Sequence, residues 1–193
     1  MTSRFFAFLS RMKYIDRWGL MRCTTKENVA EHSLFATWVA HALAVIENKY
    51  FGGTFDTYKI GMIAAYHEAG EVITGDMPTP IKYFSPEINA AYKKVEKVAE
   101  DRILGTLPDD LAGDFAALVQ PGGEEKKLVK YADKLTAYIK CVEEIATGNA
   151  EFKKASESIY RELKGFGSKS VEYFLDTFVE AYKLSLDELS VTD

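Results

Sequence analysis

The stretch Thr57–Thr74, TYKIGMIAAYHEAGEVIT, decides the fold. Ile60, Met62, Ile63, Ala64, Ala65, Tyr66, Ala69, Val72 and Ile73 put apolar side chains on nearly every side of it, which predicts one continuous helix buried in the middle of a bundle. Into that run it sets His67, Glu68 and Glu71. On a helix these three project over an arc of about 100°, within reach of one cavity. Burying an unpaired carboxylate costs on the order of several kcal/mol, so the run demands partners, either cations or a metal.

Outward from this stretch, apolar residues keep recurring at helical spacing. Phe5, Phe8, Leu9 and Met12 form one stripe, and Phe35, Trp38, Val39, Ala42, Leu43 and Ile46 another. Further stripes are Ile88, Ala91, Tyr92, Val95, Val98 and Ala99; then Leu128, Ala132, Leu135 and Ile139; then Val171, Phe174, Leu175, Phe178, Val179 and Tyr182. Loops are expected at FGGTFD (51–56), TGDMPTPIKYFSP (74–86) and QPGGEE (120–125), where glycine and proline collect. No period-two alternation, solenoid repeat or low-complexity linker interrupts the pattern. The expectation is an all-α multi-helix bundle, one domain over residues 1–193.

Composition narrows the function. With 193 residues and 47% hydrophobic content, the chain can bury a real core without disulfides or structural metal. A net charge of −5 argues against tracking long nucleic acid, although a local basic pocket for a single nucleotide stays open. Cys23 and Cys141 lack Cys-x-x-Cys spacing, so neither a disulfide framework nor a thiolate zinc site is expected. The N-terminal MTSRFFAFLSRMKY is too interrupted by Arg and Lys for a signal peptide, and no run of roughly 18 apolar residues occurs. A soluble, cytoplasmic protein without a membrane partner is expected.

Three His occur: His32, His41 and His67. His32 in NVAEHSLFATWVAHAL and Asp133 in LVKYADKLTAYIK lie on other amphipathic stretches. With His67 and Glu68 they make two imidazoles and two carboxylates, a set that suits Mn, Fe, Co, Ni or Zn better than calcium or a thiolate-bound metal. A metal held this way lowers the pKa of a bound water and screens phosphate charge, as hydrolysis of a phosphate ester requires. Plainer readings stand beside this one. A His on an amphipathic helix is more often a hydrogen-bonded structural residue, Asp133 next to Lys134 suits a solvated pair, and Glu68 with Glu71 suits an exposed face. Spacing alone does not decide. His41, nine residues after His32 and on the opposite side of its helix, reads as structural. His-Glu-x-x also opens the zinc-protease signature, but Glu71 occupies the second His position and no His follows His67, which counts against it.

The order of the motifs AEHS with His32, YHEAGEV with His67 and Glu68, and YADKL with Asp133 resembles the HD-domain phosphohydrolases. FLSRMKYIDRWGLMR, ENVAEHS, GDMPTPIKYF and EYFLDTFVEAYKLSLDEL are together similar to the bacterial 5'-deoxynucleotidases of that superfamily, over essentially the whole chain. The resemblance implies an HD-type bundle in which His32, His67, Glu68 and Asp133 bind a divalent transition metal. Glu68 departs from the family, which carries Asp there. The resemblance further implies that Glu71 positions or deprotonates the attacking water and that Arg17, also catalytic, orients the 5'-phosphate. Trp18 would pack where a ribose 2'-hydroxyl would sit, and Asp76 would accept from the 3'-hydroxyl. Met77, Pro78 and Thr79 would line the pocket, with His32, Glu68 and Asp133 at its metal end. The implied substrate is a deoxyribonucleoside 5'-monophosphate and the implied assembly a homodimer. Competing expectations are a cyclic-nucleotide or triphosphate hydrolase of the same superfamily, and a silent nucleotide-binding protein disabled by Glu68.

Overall fold

The computed structural model describes residues 2–82 and 84–191; Met1, Thr192, Asp193 and Tyr83, the last inside the 74–86 loop and the GDMPTPIKYF motif, lie outside it. In chain order the helices are α1 (Phe5–Leu9), α2 (Val29–Tyr50), α3 (Thr57–Tyr66), α4 (Glu71–Thr74), α5 (Thr79–Lys82), α6 (Pro86–Leu104), α7 (Asp109–Val119), α8 (Gly123–Ala146), α9 (Lys153–Gly165), α10 (Lys169–Phe178) and α11 (Leu186–Leu189). Short 3-10 turns occupy Ser10–Tyr14, Ala150–Phe152 and Val179–Lys183. Among the described residues no strand forms; Asp16 and Asn28 make an isolated antiparallel bridge. The all-α expectation holds.

Local chemistry starts the site-bearing helices. Asn28 caps α2 by accepting from the N–H groups of Ala30 and Glu31, while the Glu31 carboxylate accepts from the Asn28 N–H. Such a reciprocal box satisfies donors that a helix start otherwise leaves orphaned. Asp56 caps α3 one way, accepting from the Lys59 N–H, and Ser85 caps α6 ahead of Pro86. Val39, Leu43, Ile60, Ile63, Leu128, Leu135 and Leu163 from α2, α3, α8 and α9 share the main core, closed at one end by Val171 and Phe174 of α10. Each such side chain, fully buried, contributes about 1.5–3 kcal/mol. A second cluster gathers Phe5, Ala69, Ile103, Leu104 and Val119 around α1, α6 and α7. The meeting of α2, α3 and α8 therefore puts His32, His67 and Asp133 beside packed, rigid backbone. By length and composition α2 could cross a membrane, an exception to the sequence expectation, yet it carries the main core on one face and His32 at its start.

One helix over Thr57–Thr74 is not what forms. α3 stops at Tyr66, and His67–Gly70 make tight turns before α4. Ala69 donates to the Tyr66 carbonyl and Glu71 to that of Glu68, both three residues back. His67 and Gly70 keep right-handed dihedrals with ψ −25° and −28°, values of a 3-10 rather than an α winding. The chain overwinds without turning aside. Its apolar pattern gives no hint of this; at the turn His67 Nδ1 donates to the Ala64 carbonyl at 2.6 Å. Nor is the whole stretch buried, since Tyr58, Met62 and Ile73 face outward. The 74–86 loop likewise contains a short helix, α5, that its prolines masked.

Candidate functional site

Ligand-type atoms of His32, His67, Glu68 and Asp133 all lie within 4.8 Å of one another. His32 Nε2 is 3.0 Å from Asp133 Oδ1, and His67 Nε2 is 3.5 Å from Glu68 Oε1 and 3.9 Å from Asp133 Oδ1. The two imidazole rings stand 5.4 Å apart. Because His67 Nδ1 donates to Ala64, its Nε2 carries the free lone pair, and that atom is buried without a hydrogen-bond partner among the described residues. Metal-binding imidazoles are normally anchored in this way.

Arg17 lies over the cluster. Its guanidinium is 3.4 Å from Glu68, 4.0 Å from Asp133 and 3.5 Å from Glu27. The His32 imidazole, hydrogen-bonded to it at 3.0 Å, and the neighbouring His67 imidazole hold the Asp133 carboxyl well below its usual range, against the opposing effect of burial. Burial, and then Arg17, push the His32 imidazole down and keep it neutral. For His67 the carboxylates of Glu68 and Asp133 outweigh burial and raise it. Glu71, buried with one carboxylate oxygen unpartnered, is pushed up to about 10, first by burial and then by Glu68 and Asp76. The tight turn explains that pairing, because residues three apart in a 3-10 winding eclipse each other and bring Glu68 and Glu71 onto one face. Burial also raises Asp76, with Arg17 opposing. These acids have one ion-paired Arg among them and are short of positive charge, so the donor set and its electrostatics fit a divalent cation.

Trp18 adopts φ 59°, a left-handed backbone unusual for a bulky residue. Its indole Nε1 donates to Glu27 at 3.1 Å, and its ring packs 5.2 Å from that of Phe152. The structure thus brings His32, His67, Glu68, Asp133 and Arg17 into one cluster, with Glu71 and Trp18 adjoining it. Asp76 and the half-buried Met77 and Pro78 follow Gly75 at the end of α4, and the exposed Thr79 opens α5. Among the described residues none of these four makes an ion pair or side-chain hydrogen bond to the cluster. His41 stays apart, with its ring 6.0 Å from that of Tyr58.

Two features escaped the sequence. Glu27, inside ENVAEHS, touches Arg17 and Trp18, but nothing in its type or spacing marks it. Glu144 is 1% exposed and accepts from Lys140 Nζ, the Thr24 N–H and hydroxyl, the Thr25 N–H and Asn149 Nδ2. Lys140 also donates to the Thr25 carbonyl. This buried pair clasps the tip of the segment that carries Arg17 and Trp18. An acid and a base one turn apart on the buried face of α8 were the available signal.

The family model described as 5'-deoxynucleotidase YfbR-like matches residues 4–182. A 5'-deoxynucleotidase of Vibrio parahaemolyticus is 48% identical over 97% of this chain and 98% of its own length. One from Yersinia pestis is 50% identical over 98% of each. Among solved structures, an HD-domain phosphohydrolase from Listeria innocua superposes with a TM-score of 0.81 at 22% identity, covering 97% of this chain and 92% of its own. A cyanophage S-2L HD phosphohydrolase, bound to dA and one catalytic Zn2+, gives 0.63 at 20% identity over 92% of this chain and 95% of its own. Such identities speak for the fold alone, whereas the family match and the near-full-length relatives speak for more. The chain belongs to the YfbR-like family of 5'-deoxynucleotidases.

Proposed function

We propose that this protein is a metal-dependent phosphomonoesterase, a 5'-deoxynucleotidase that hydrolyses deoxyribonucleoside 5'-monophosphates to deoxyribonucleosides and phosphate. The observation that carries the reading is the convergence of His32, His67, Glu68 and Asp133 beneath the Arg17 guanidinium. These four would hold one divalent transition ion of the Co, Mn, Zn, Fe or Ni type. When bound, the ion supplies Lewis acidity, making a water nucleophilic near neutral pH and neutralising phosphoryl charge.

The remaining work belongs to the protein. Arg17 exchanges part of its contact with Glu68 for charge-assisted hydrogen bonds to the 5'-phosphate. Glu71, whose proton is held by burial and neighbouring acids, is the acid/base: positive charge in the centre lowers its pKa, letting it take a proton from the attacking water. As the water oxygen bonds to phosphorus and the P–O5' bond breaks, that proton passes to the leaving oxygen. Trp18 packs against the sugar where a 2'-hydroxyl would sit, Asp76 accepts from the 3'-hydroxyl, and Met77–Thr79 line the pocket. The homodimer belongs to the proposal too. Leu34, Phe35, Trp38 and Val45 on α2, with Tyr58 and Met62 on α3, expose apolar surface of the kind an interface covers. The free thiols of Cys23 and Cys141 suit a reducing, cytoplasmic compartment.

A substrate panel tests the activity. Phosphate release from deoxyribonucleoside 5'-monophosphates, with little from ribonucleoside 5'-monophosphates and none from 3'-monophosphates, cyclic nucleotides or triphosphates, is expected. Preferential turnover of cyclic nucleotides or triphosphates would overturn it.

A further inference from the structure

Glu27 sits where three functional groups meet and has no part in the chemistry above. One oxygen, Oε2, accepts from the Trp18 indole at 3.1 Å and lies 3.5 Å from Arg17 Nε. The other, Oε1, faces His32 Nδ1 at 3.9 Å. Arg17 Nε and His32 Nδ1 are both buried and otherwise without partners among the described residues, so each turns its orphaned nitrogen toward this one carboxylate. The Glu27 side chain is 14% exposed, and the Glu27 carbonyl accepts from the Arg17 N–H at 2.9 Å. That backbone bond, with Val29 N–H donating to Ile15, closes the base of the segment carrying Arg17 and Trp18.

We infer that Glu27 is a positioning residue that locks the sugar-facing Trp18 and the phosphate-facing Arg17 to the metal ligand His32. Trp18 needs such a hold, because a bulky residue at φ 59° persists only where its surroundings over-determine it. With an acceptor at Nδ1, His32 can offer its Nε2 lone pair to an ion in place of the hydrogen bond it makes to Asp133, the usual arrangement of a carboxylate behind a metal-binding imidazole. A single carboxylate serving both makes metal affinity and sugar discrimination depend on one side chain. The roles assigned to Trp18, Arg17 and His32 rest on the proposed function; the contacts do not.

Glu27→Ala and Glu27→Gln separate these roles. The amide oxygen of Gln still accepts from the indole but carries no charge for Arg17 and holds imidazole more weakly. In 15N-labelled protein without metal or substrate, the Trp18 Nε1–H signal, assigned with Trp18→Phe, should shift and exchange faster with water in Glu27→Ala and return in Glu27→Gln. The dissociation constant for Co2+, from chelator competition, should rise roughly 10–100-fold in Glu27→Ala and stay raised in Glu27→Gln. The preference for deoxyribonucleotides in kcat/KM should fall in Glu27→Ala and recover in Glu27→Gln. An unmoved indole signal together with an unchanged Co2+ affinity in Glu27→Ala overturns the inference, as does full rescue of Co2+ affinity by Gln. Because the indole signal needs neither metal nor turnover, a wild type inactive toward deoxyribonucleotides would sink the proposed function and leave this test standing.

Discussion

One methylene distinguishes Glu68 from the Asp that the resemblance leads one to expect, and the Glu68 carboxylate stays within the cluster. The Glu68 carboxylate reaches to 3.5 Å from His67 and 3.4 Å from Arg17 without leaving the four-residue cluster. Glu68→Asp should therefore keep Co2+ affinity within about tenfold, whereas Glu68→Ala should weaken it beyond the roughly 10–100-fold effect of losing an outer-shell partner; metal titration of stripped protein checks both. Glu71 makes a sharper test. Its carboxyl, raised to about 10 by burial and neighbouring acids, binds a proton in the folded state that the unfolded chain gives up near pH 4.3. Between about pH 4 and 10 the folded state thus holds more protons, and stability of the metal-free protein must fall as pH rises. Melting temperatures from pH 5 to 9 should decline in metal-free wild type and flatten in Glu71→Gln. The same substitution should lower kcat by about 10²–10⁴ with little change in KM.

Among the elements, the segment 15–28 ahead of α2 matters most, since it delivers Arg17 and Trp18 without a helix of its own. Its base is closed by Arg17 N–H to Glu27 and tied to α2 by Val29 N–H to Ile15, and its tip is tied to α8 by Glu144. Burial alone would raise the Glu144 carboxyl, but hydrogen bonds from Lys140, Thr24 and Asn149 hold it well below the usual range. A depressed acid stabilises the fold above its unfolded pKa, near 4.3, and loses that contribution as pH falls further. Glu144→Ala should destabilise by about 3–5 kcal/mol at neutral pH, because Lys140 is left buried and unpaired. The gap from wild type should narrow below about pH 4 in chemical denaturation. Much of this region was legible. ENVAEHS marked His32 at the start of α2, and the apolar stripe of α8 flanks Asp133. The overwound turn at His67–Gly70 was not, because its apolar pattern continues unbroken across it. Glu27 and Glu144 were missed for a related reason: their meaning lies in contacts 9 and 120 residues away.

Across the whole molecule, periodicity located α2, α8 and α10 of the main core and the region of α3 but gave no stripe for α9, and AEHS, YHEAGEV and YADKL pointed to residues that come together beside α2, α3 and α8. Periodicity could not say which apolar faces stay uncovered. Trp38 is 57% exposed beside Phe35 in an edge-to-face pair, so the α2 stripe that reads as wholly core is half surface. If a second copy covers it, light scattering after size exclusion should give about twice the 21.7 kDa chain mass, and Trp38→Glu should return the monomer while leaving the melting temperature within a few degrees. The claim on which everything else depends is that His32, His67, Glu68 and Asp133 bind one cation that drives deoxyribonucleotide hydrolysis. Phosphate release from a deoxyribonucleoside 5'-monophosphate, measured while chelator-stripped protein is titrated with Co2+, tests it most directly. Release should be absent without metal and saturate at about one equivalent per chain; undiminished release from stripped protein, or none at any Co2+, Mn2+ or Zn2+ concentration, would contradict it.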